Sequence, residues 1–289
     1  MDYCLEIFVK KFDTHSILTD DGFSMTSIIK LFKFPHIWFK RKINNGIDII
    51  TMMMTSLWYV YKYRKYGKKL ISNSLYKQIL FTGYDGLSVV GFIGFLIGAV
   101  VLIIGSGITQ KVGASGIFAV LVRYVLLREL APLFTAIILI ARSGTAISTE
   151  IGNMKVNNEI DVLLSLGINI RHFIIGPRIL GFVISMLGLT FFFVFIGIAG
   201  GYLVTYFVIN LRLAAYIGAI FTEISVYDIG VVALKSISFG LIISTISCYN
   251  GFLVKRSSTE VPIFSTRSVV SSLKISFLTY AYITALSYL

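Results

Sequence analysis

Long apolar runs restrict this chain to very few architectures. Between Leu87 and Ile108 there is no Asp, Glu, Lys or Arg, and further runs of this kind recur up to the last residue, Leu289. A bilayer core offers no water to backbone N–H and C=O groups, so a crossing segment must satisfy them internally. Runs of this length exceed the about 9–11 residues of a membrane barrel strand and suit the about 20 of a spanning helix. An all-α integral membrane protein is therefore expected. The composition agrees: 56% of residues are hydrophobic, only 14% are charged, and the mean hydropathy is +0.84. These values lie far from the soluble average.

The run pattern predicts about five transmembrane helices, over residues 87–108, 130–148, 173–207, 229–254 and 269–289. The third run is long for one crossing and short for two with a turn, so a single tilted helix is expected there. Val112 to Leu127 reads as an apolar connector carrying Arg123, and Tyr216 to Asp228 as a polar-apolar external segment. Ahead of the spans, residues 1–78 form a basic cytoplasmic or interfacial region, and residues 79–289 the membrane domain. Within the first region Ile47 to Tyr63 places Trp58, Tyr59, Tyr61 and Tyr63 beside Lys62, a composition suited to an N-terminal interfacial helix lying in the headgroup zone. No cleavable leader is expected, because Asp2, Glu6 and Asp13 interrupt the first residues.

The net charge of +12 could suggest nucleic acid, but residues 1–80 hold 13 Lys and Arg against 6 Asp and Glu. Basic residues gathered ahead of the first span read as a positive-inside signal instead. Lys155, Arg171, Lys255, Arg256 and Arg267 fall on the side of the N-terminus, while Arg123, Arg212, Glu223 and Asp228 fall opposite. That asymmetry predicts a cytoplasmic N-terminus and an external C-terminus. Cys4 and Cys248 supply no disulfide framework, and His15, His36 and His172 have no metal-ligand spacing with them. There is no catalytic constellation and no Gly-x-x-x-x-Gly-Lys-Ser/Thr loop to cradle nucleotide phosphates. The chain is expected not to be an enzyme, to carry no cofactor or metal of its own, and to leave any ATP and Mg²⁺ to a partner.

Four places could carry a mechanism. Arg128 and Glu129 precede Pro132 at the expected start of span two; as costly ions near the bilayer they either satisfy each other at a helix start or line a cavity and meet a charged headgroup. Arg142 and Lys235 could each snorkel to an interface. Gly94 and Gly98, with Gly197 and Gly201 in the same spacing, would let helices approach closely. Finally, Glu150 to Arg171 is a polar elbow with Ile160, Leu163, Leu164 and Leu166 at roughly helical spacing, so a short amphipathic helix over about 150–166 is expected between spans two and three. An ion-coupled secondary transporter and a non-transporting scaffold remain alternatives at this level, although the paired broken helices and midplane charge of the former are not evident.

Ordered motifs across Tyr76 to Leu289 resemble the MlaE/YrbE family of ABC-transporter permeases, which includes plastid relatives. They are Arg128-Glu129-Leu130-x-Pro132, Ala141-Arg142-x-Gly144, Glu150-x-Gly152-x-Met154-Lys155-Val156, Glu159-Ile160-Asp161, Leu166-Gly167, Pro177-Arg178, Lys235-Ser236, Cys248-Tyr249-x-Gly251 and Thr266-Arg267-x-Val269-Val270. The chain departs from the family pattern at Ala131 and Asn169, which stand for Gly and Pro, and at Tyr280, which stands for Asp. Glu260, Pro262 and Phe264 replace small residues before the last span.

The resemblance implies a homodimeric permease subunit that moves phospholipid, working with a cytoplasmic ABC ATPase, a periplasmic MCE-domain lipid-binding protein and, in some systems, a small cytoplasmic accessory subunit. It implies the bacterial inner membrane, or alternatively the plastid inner envelope. The elbow becomes a coupling helix, with Glu150, Gly152, Met154, Lys155, Glu159 and Asp161 as contacts to the ATPase. Gly152 would permit a tight bend and Met154 a soft apolar contact. Arg128, Glu129, Gly94 and Gly98 become the candidates to face substrate in a cavity shared by two copies.

Overall fold

The computed structural model describes residues 46–59, 62, 68–112, 117–209, 213–255 and 257–289. The chain divides into two compact units, Met1–Asp48 and Ile49–Leu289. Of the first, only residues 46–48 are described, and they are helical; expectations for residues 1–45 lie outside the described residues. In the second unit, residues 49–59 form α1, whose Ile50, Met54 and Trp58 recur every four positions and are exposed. Met52 and Leu57 turn the other way and pack on the core. Beside this outward-facing apolar stripe the Lys62 ammonium lies 4.4 Å from the Trp58 ring.

Among the described residues no strand occurs, and five helices are long and apolar enough to cross a membrane. α2 (Lys68–Thr82) passes through a single 3₁₀ turn at Tyr84–Gly86 into α3 (Leu87–Val112). The first crossing helix therefore extends over Ile71–Gly105 rather than starting at Leu87. The second, α4, is continuous from Ala119 to Val156. Val112 to Leu127 is thus not simply a connector: the residues from Ala119 on, Arg123 among them, already belong to the helix. α4 contains two π-helical stretches, Val122–Leu130 and Ile140–Gly144, separated by the α-helical Ala131–Leu139.

After α5 (Glu159–Ser165) a π turn at Arg171–Ile175 leads into α6, Gly176–Ile209, a single uninterrupted helix as the length of its apolar run predicts. α7 (Leu213–Glu223) converts the expected external segment into a short helix. Its Tyr216 is buried and donates a hydrogen bond to the carbonyl of Ile198 at 2.9 Å. That burial pushes the phenol pKa up, which keeps the hydroxyl a donor.

α8 (Val226–Phe252) opens on a capping box in which the Ser225 and Asp228 side chains bond reciprocally to backbone N–H groups. α9 begins at Glu260, earlier than the expected residue 269, and runs to Tyr288. Its first turn tolerates both Glu260, which suits the positive helix end, and Pro262, which needs no intrahelical donor there. Buried Ser265, Ser268, Ser272 and Ser276 recur every three or four residues along α9. Ser268 bonds Ser247 of α8 at 3.3 Å, and Ser265 bonds Thr149 of α4 at 3.3 Å. Small hydroxylated residues of this kind draw helices together in a membrane.

Glycines set the tightest contact, between α3 and α6. A β-carbon on Gly98 would run into the carbonyl of Gly197, and one on Gly94 would lie 3.1 Å from the carbonyl of Phe193. The close-approach reading of the glycine spacing therefore applies to α3 against α6. Gly94 and Gly98, expected to face substrate, instead face a neighbouring helix of the same chain. We expect Gly98→Val to destabilise the protein by at least the about 1–3 kcal/mol of ordinary overpacking, because backbone must move. A thermal unfolding midpoint equal to the parent's would rule out this contact.

Candidate functional site

Two polar clusters lie at opposite ends of the helices. The ends of α4 and α8, the starts of α6 and α9 and the short α5 meet at one, here the arm end. The starts of α4 and α8 and the last turn of α9 meet at the other, the far end.

The far-end cluster begins with the π winding of α4. Arg123 and Arg128 are five positions apart, which on an α-helix turning about 100° per residue would leave them about 140° apart. The wider i→i+5 winding over Val122–Leu130 brings them round to one side. Both reach Asp228, which is fully buried at the start of α8: Arg123 Nε donates to Oδ2 at 2.7 Å, and Arg128 Nε lies 3.6 Å from Oδ1. Glu223 adds a longer ion pair to Arg123 at 3.7 Å. The Arg128 guanidinium donates to the carbonyl of Ser287 at 3.1 Å and lies over three tyrosine rings, Tyr288 at 4.6 Å, Tyr124 at 5.5 Å and Tyr227 at 5.6 Å.

One residue further on, Glu129 points to a different partner. Its Oε2 accepts from Lys235 Nζ at 2.9 Å and from the Thr284 hydroxyl at 3.2 Å. Lys235 also donates to the Arg128 carbonyl at 2.9 Å and lies 4.9 Å from the Tyr280 ring. Arg128 and Glu129 are thus neither paired with each other nor at a helix start; each ties α4 to other helices. Lys235 does not snorkel, because its side chain is wholly buried and its charge is met by Glu129 in place. Tyr280 offers this ammonium a ring face, which attracts a cation without adding a negative charge. Beside the cluster, Tyr227, Val231, Leu234, Ile283 and Leu286 line a mainly apolar groove of about 410 Å³ between α8 and α9.

At the arm end the expected single helix over 150–166 is two pieces. Residues 150–156 complete α4, and Asn158 then takes φ 59°, left-handed backbone that asparagine tolerates well. α5 closes on Gly167 at φ 74°, where the Gly167 N–H reaches Leu164 O at 2.9 Å and the Ile168 N–H reaches Leu163 O at 3.0 Å. This is the Schellman pattern, which needs glycine at that position. Only Ile160 of α5 is buried, while Val162, Leu164 and Leu166 are more than half exposed. Glu159 and Asp161 are exposed too, with Asp161 held 3.0 Å from Lys155 across the break.

Of the remaining arm candidates, Gly152 and Met154 face inward, whereas Glu150 is exposed. Gly152 is inside the helix, not at a bend; a β-carbon there would stand 3.1 Å from Val254 and 3.3 Å from Val261. Met154 packs against the core. Glu150 is bonded to Arg178 at 2.6 Å. Arg142, expected to snorkel, donates to the Phe81 carbonyl at 3.1 Å and pairs with Asp85 at 3.3 Å. Sequence reasoning did not single out Asp228, Thr284 and Tyr288 as members of one cluster. The Ser225-Val226-Tyr227-Asp228 cap was the one local signal available for the first of them.

The family model described as Permease MlaE matches residues 75–286. A probable ABC transporter permease protein of Rickettsia typhi is 33% identical over 196 residues, covering 68% of this chain and 76% of that protein. The intermembrane phospholipid transport system permease protein MlaE of Haemophilus influenzae is 30% identical over 197 residues, covering 68% and 76%. The chloroplastic protein TRIGALACTOSYLDIACYLGLYCEROL 1 of Arabidopsis thaliana is 31% identical over 146 residues, covering 50% of this chain and 42% of that protein.

Proposed function

Because the chain belongs to the MlaE permease family, we propose that it is the membrane subunit of an ABC transporter that moves phospholipid, or a similar two-tailed lipid, between membranes. The observation that carries this is the match over residues 75–286, which takes in all the crossing helices but the ends of the first and last. Two copies would form the transport unit, with a separate ATPase holding ATP and Mg²⁺ and an MCE-domain protein receiving or delivering the lipid on the far side. A small accessory subunit on the ATPase side completes the set in some systems.

α5 suits the ATPase contact: its Val162, Leu164 and Leu166 are exposed beyond the crossing helices, and so are the carboxylates of Glu159 and Asp161. On that reading the arm end and the N-terminal region lie in the cytoplasm and Leu289 outside, in the inner membrane or, for a plastid protein, the inner envelope. An apolar groove supports the lipid reading, since each CH₂ kept from water is worth about 0.8 kcal/mol and only an apolar receptacle lets a lipid leave the bilayer cheaply. Arg128, next to that groove through Ser287 and Tyr227, is the candidate cation for an arriving headgroup.

Affinity purification in mild detergent, with mass spectrometry of bound proteins and lipids, tests this directly. An ATPase in stoichiometric amount and bound phospholipid are expected. Recovery of the chain with neither would remove the proposal.

A further inference from the structure

Glu150 and Arg178 stand where the arm joins the rest of the protein, one near the end of α4 and the other in the first turn of α6. They are 28 positions apart, yet Arg178 Nη2 donates to Glu150 Oε1 at 2.6 Å. The bond ties the two ends of the segment that contains α5. Arg178 is 13% exposed and Glu150 61%, so an outer carboxylate reaches inward to a nearly buried cation. The second terminal nitrogen, Arg178 Nη1, is buried and has no hydrogen-bond partner among the described residues. A guanidinium and a carboxylate fit as a planar fork with two parallel bonds. Here one prong is engaged and the other is open.

We propose that Arg178 is a positioning residue for coupling, holding Glu150 by one bond in this state and by the two-bond fork when the arm is displaced, a role that rests on α5 being the ATPase contact. Glu150 is then an internal latch rather than a contact to the ATPase. Closing the fork draws the end of α4 and the first turn of α6 together. α6 lies along α3 through the glycine contact at Gly98 and Gly197, and its Thr190 hydroxyl accepts a 3.1 Å bond from Ser236 of α8. A pull on its first turn is therefore passed to helices on both sides. Lys155 and Asp161, bridging the Asn158 break at 3.0 Å, keep α5 in register with α4 so that the pull is not lost in the turn.

Lysine separates this role from a simple brace. It preserves the charge and one bond but has no fork. In proteoliposomes holding the permease with its ATPase, ATP hydrolysis and lipid transfer are measured separately for Arg178→Lys and for the exchange Glu150→Arg with Arg178→Glu. For Arg178→Lys the thermal midpoint, ATPase retention and hydrolysis should match the parent, while lipid moved per ATP falls about tenfold. The exchange, which rebuilds a fork with its ends reversed, should recover most of the transfer lost in Glu150→Arg alone. An unchanged transfer ratio for Arg178→Lys would overturn the proposal, and so would a fall in stability and transfer together with no recovery in the exchange. Failure of the underlying transporter reading looks different: the parent complex itself would retain no ATPase or transfer no lipid.

Discussion

Replacing Lys235 by Met is expected to destabilise the protein by about 3–5 kcal/mol, the cost typical of removing one member of a buried ion pair. Methionine nearly matches the volume of the lysine side chain, so packing is kept and the charge is what disappears. Glu129 is then left in a nearly closed site with the Thr284 hydroxyl but no cation at 2.9 Å. The Arg128 carbonyl, which accepts from the same ammonium at 2.9 Å, loses that donor as well. Adding Glu129→Gln to Lys235→Met should restore most of the loss, because the uncompensated charge goes with it. Thermal or denaturant unfolding of the purified protein in detergent provides the measurement. A single variant as stable as the parent would show that this pair does not hold α4 to α8.

The second large effect is expected at α5. Reversing both exposed carboxylates, Glu159→Lys with Asp161→Lys, should weaken ATPase retention by about tenfold or more, since like charges placed across an interface cost several kcal/mol. The crossing helices should fold as in the parent, because both side chains face solvent and the buried residue of α5 is Ile160; what is lost locally is the bridge from Asp161 to Lys155. Lys155→Ala is the control: it removes the cation paired with Asp161 but leaves the acidic surface in place. Retention by the doubly reversed permease equal to that of the parent would exclude α5 as the docking element. A parallel loss of unfolding midpoint would assign the two carboxylates a structural role instead.

The crossing helices were legible wherever apolar character ran unbroken, as in Leu87 to Ile108 and over most of α6. Helix boundaries are hidden where polar residues lie inside a helix. Arg123 made the first part of α4 look like a connector, because nothing in the sequence shows that Asp228 neutralises it at 2.7 Å. Glu260 and Pro262 looked like loop residues although both are acceptable in a first helical turn. In sequence Asn158 fits a continuous amphipathic helix, and only the backbone reveals its left-handed turn.

The candidate site shows the same division. Arg128 and Glu129 stood out because ions are rare in such surroundings. Their partners could not be read, since side-chain direction there depends on π winding that no hydrophobic period encodes. Lys235 illustrates the outcome: taken alone it belongs at an interface, and taken with Glu129 it belongs inside. Gly94 and Gly98 carried a correct packing signal and an incorrect expectation of facing substrate, because spacing reveals that something comes close but not what.

The far-end cluster joins three cations, Arg123, Arg128 and Lys235, to three carboxylates, Glu129, Glu223 and Asp228. Displacing one elementary charge through a membrane potential of 100 mV involves about 2.3 kcal/mol. A cluster whose charges sum to zero and which moves as a unit exchanges almost no such work with the field. Displacement of the cluster by itself therefore neither draws on the voltage across the membrane nor works against it.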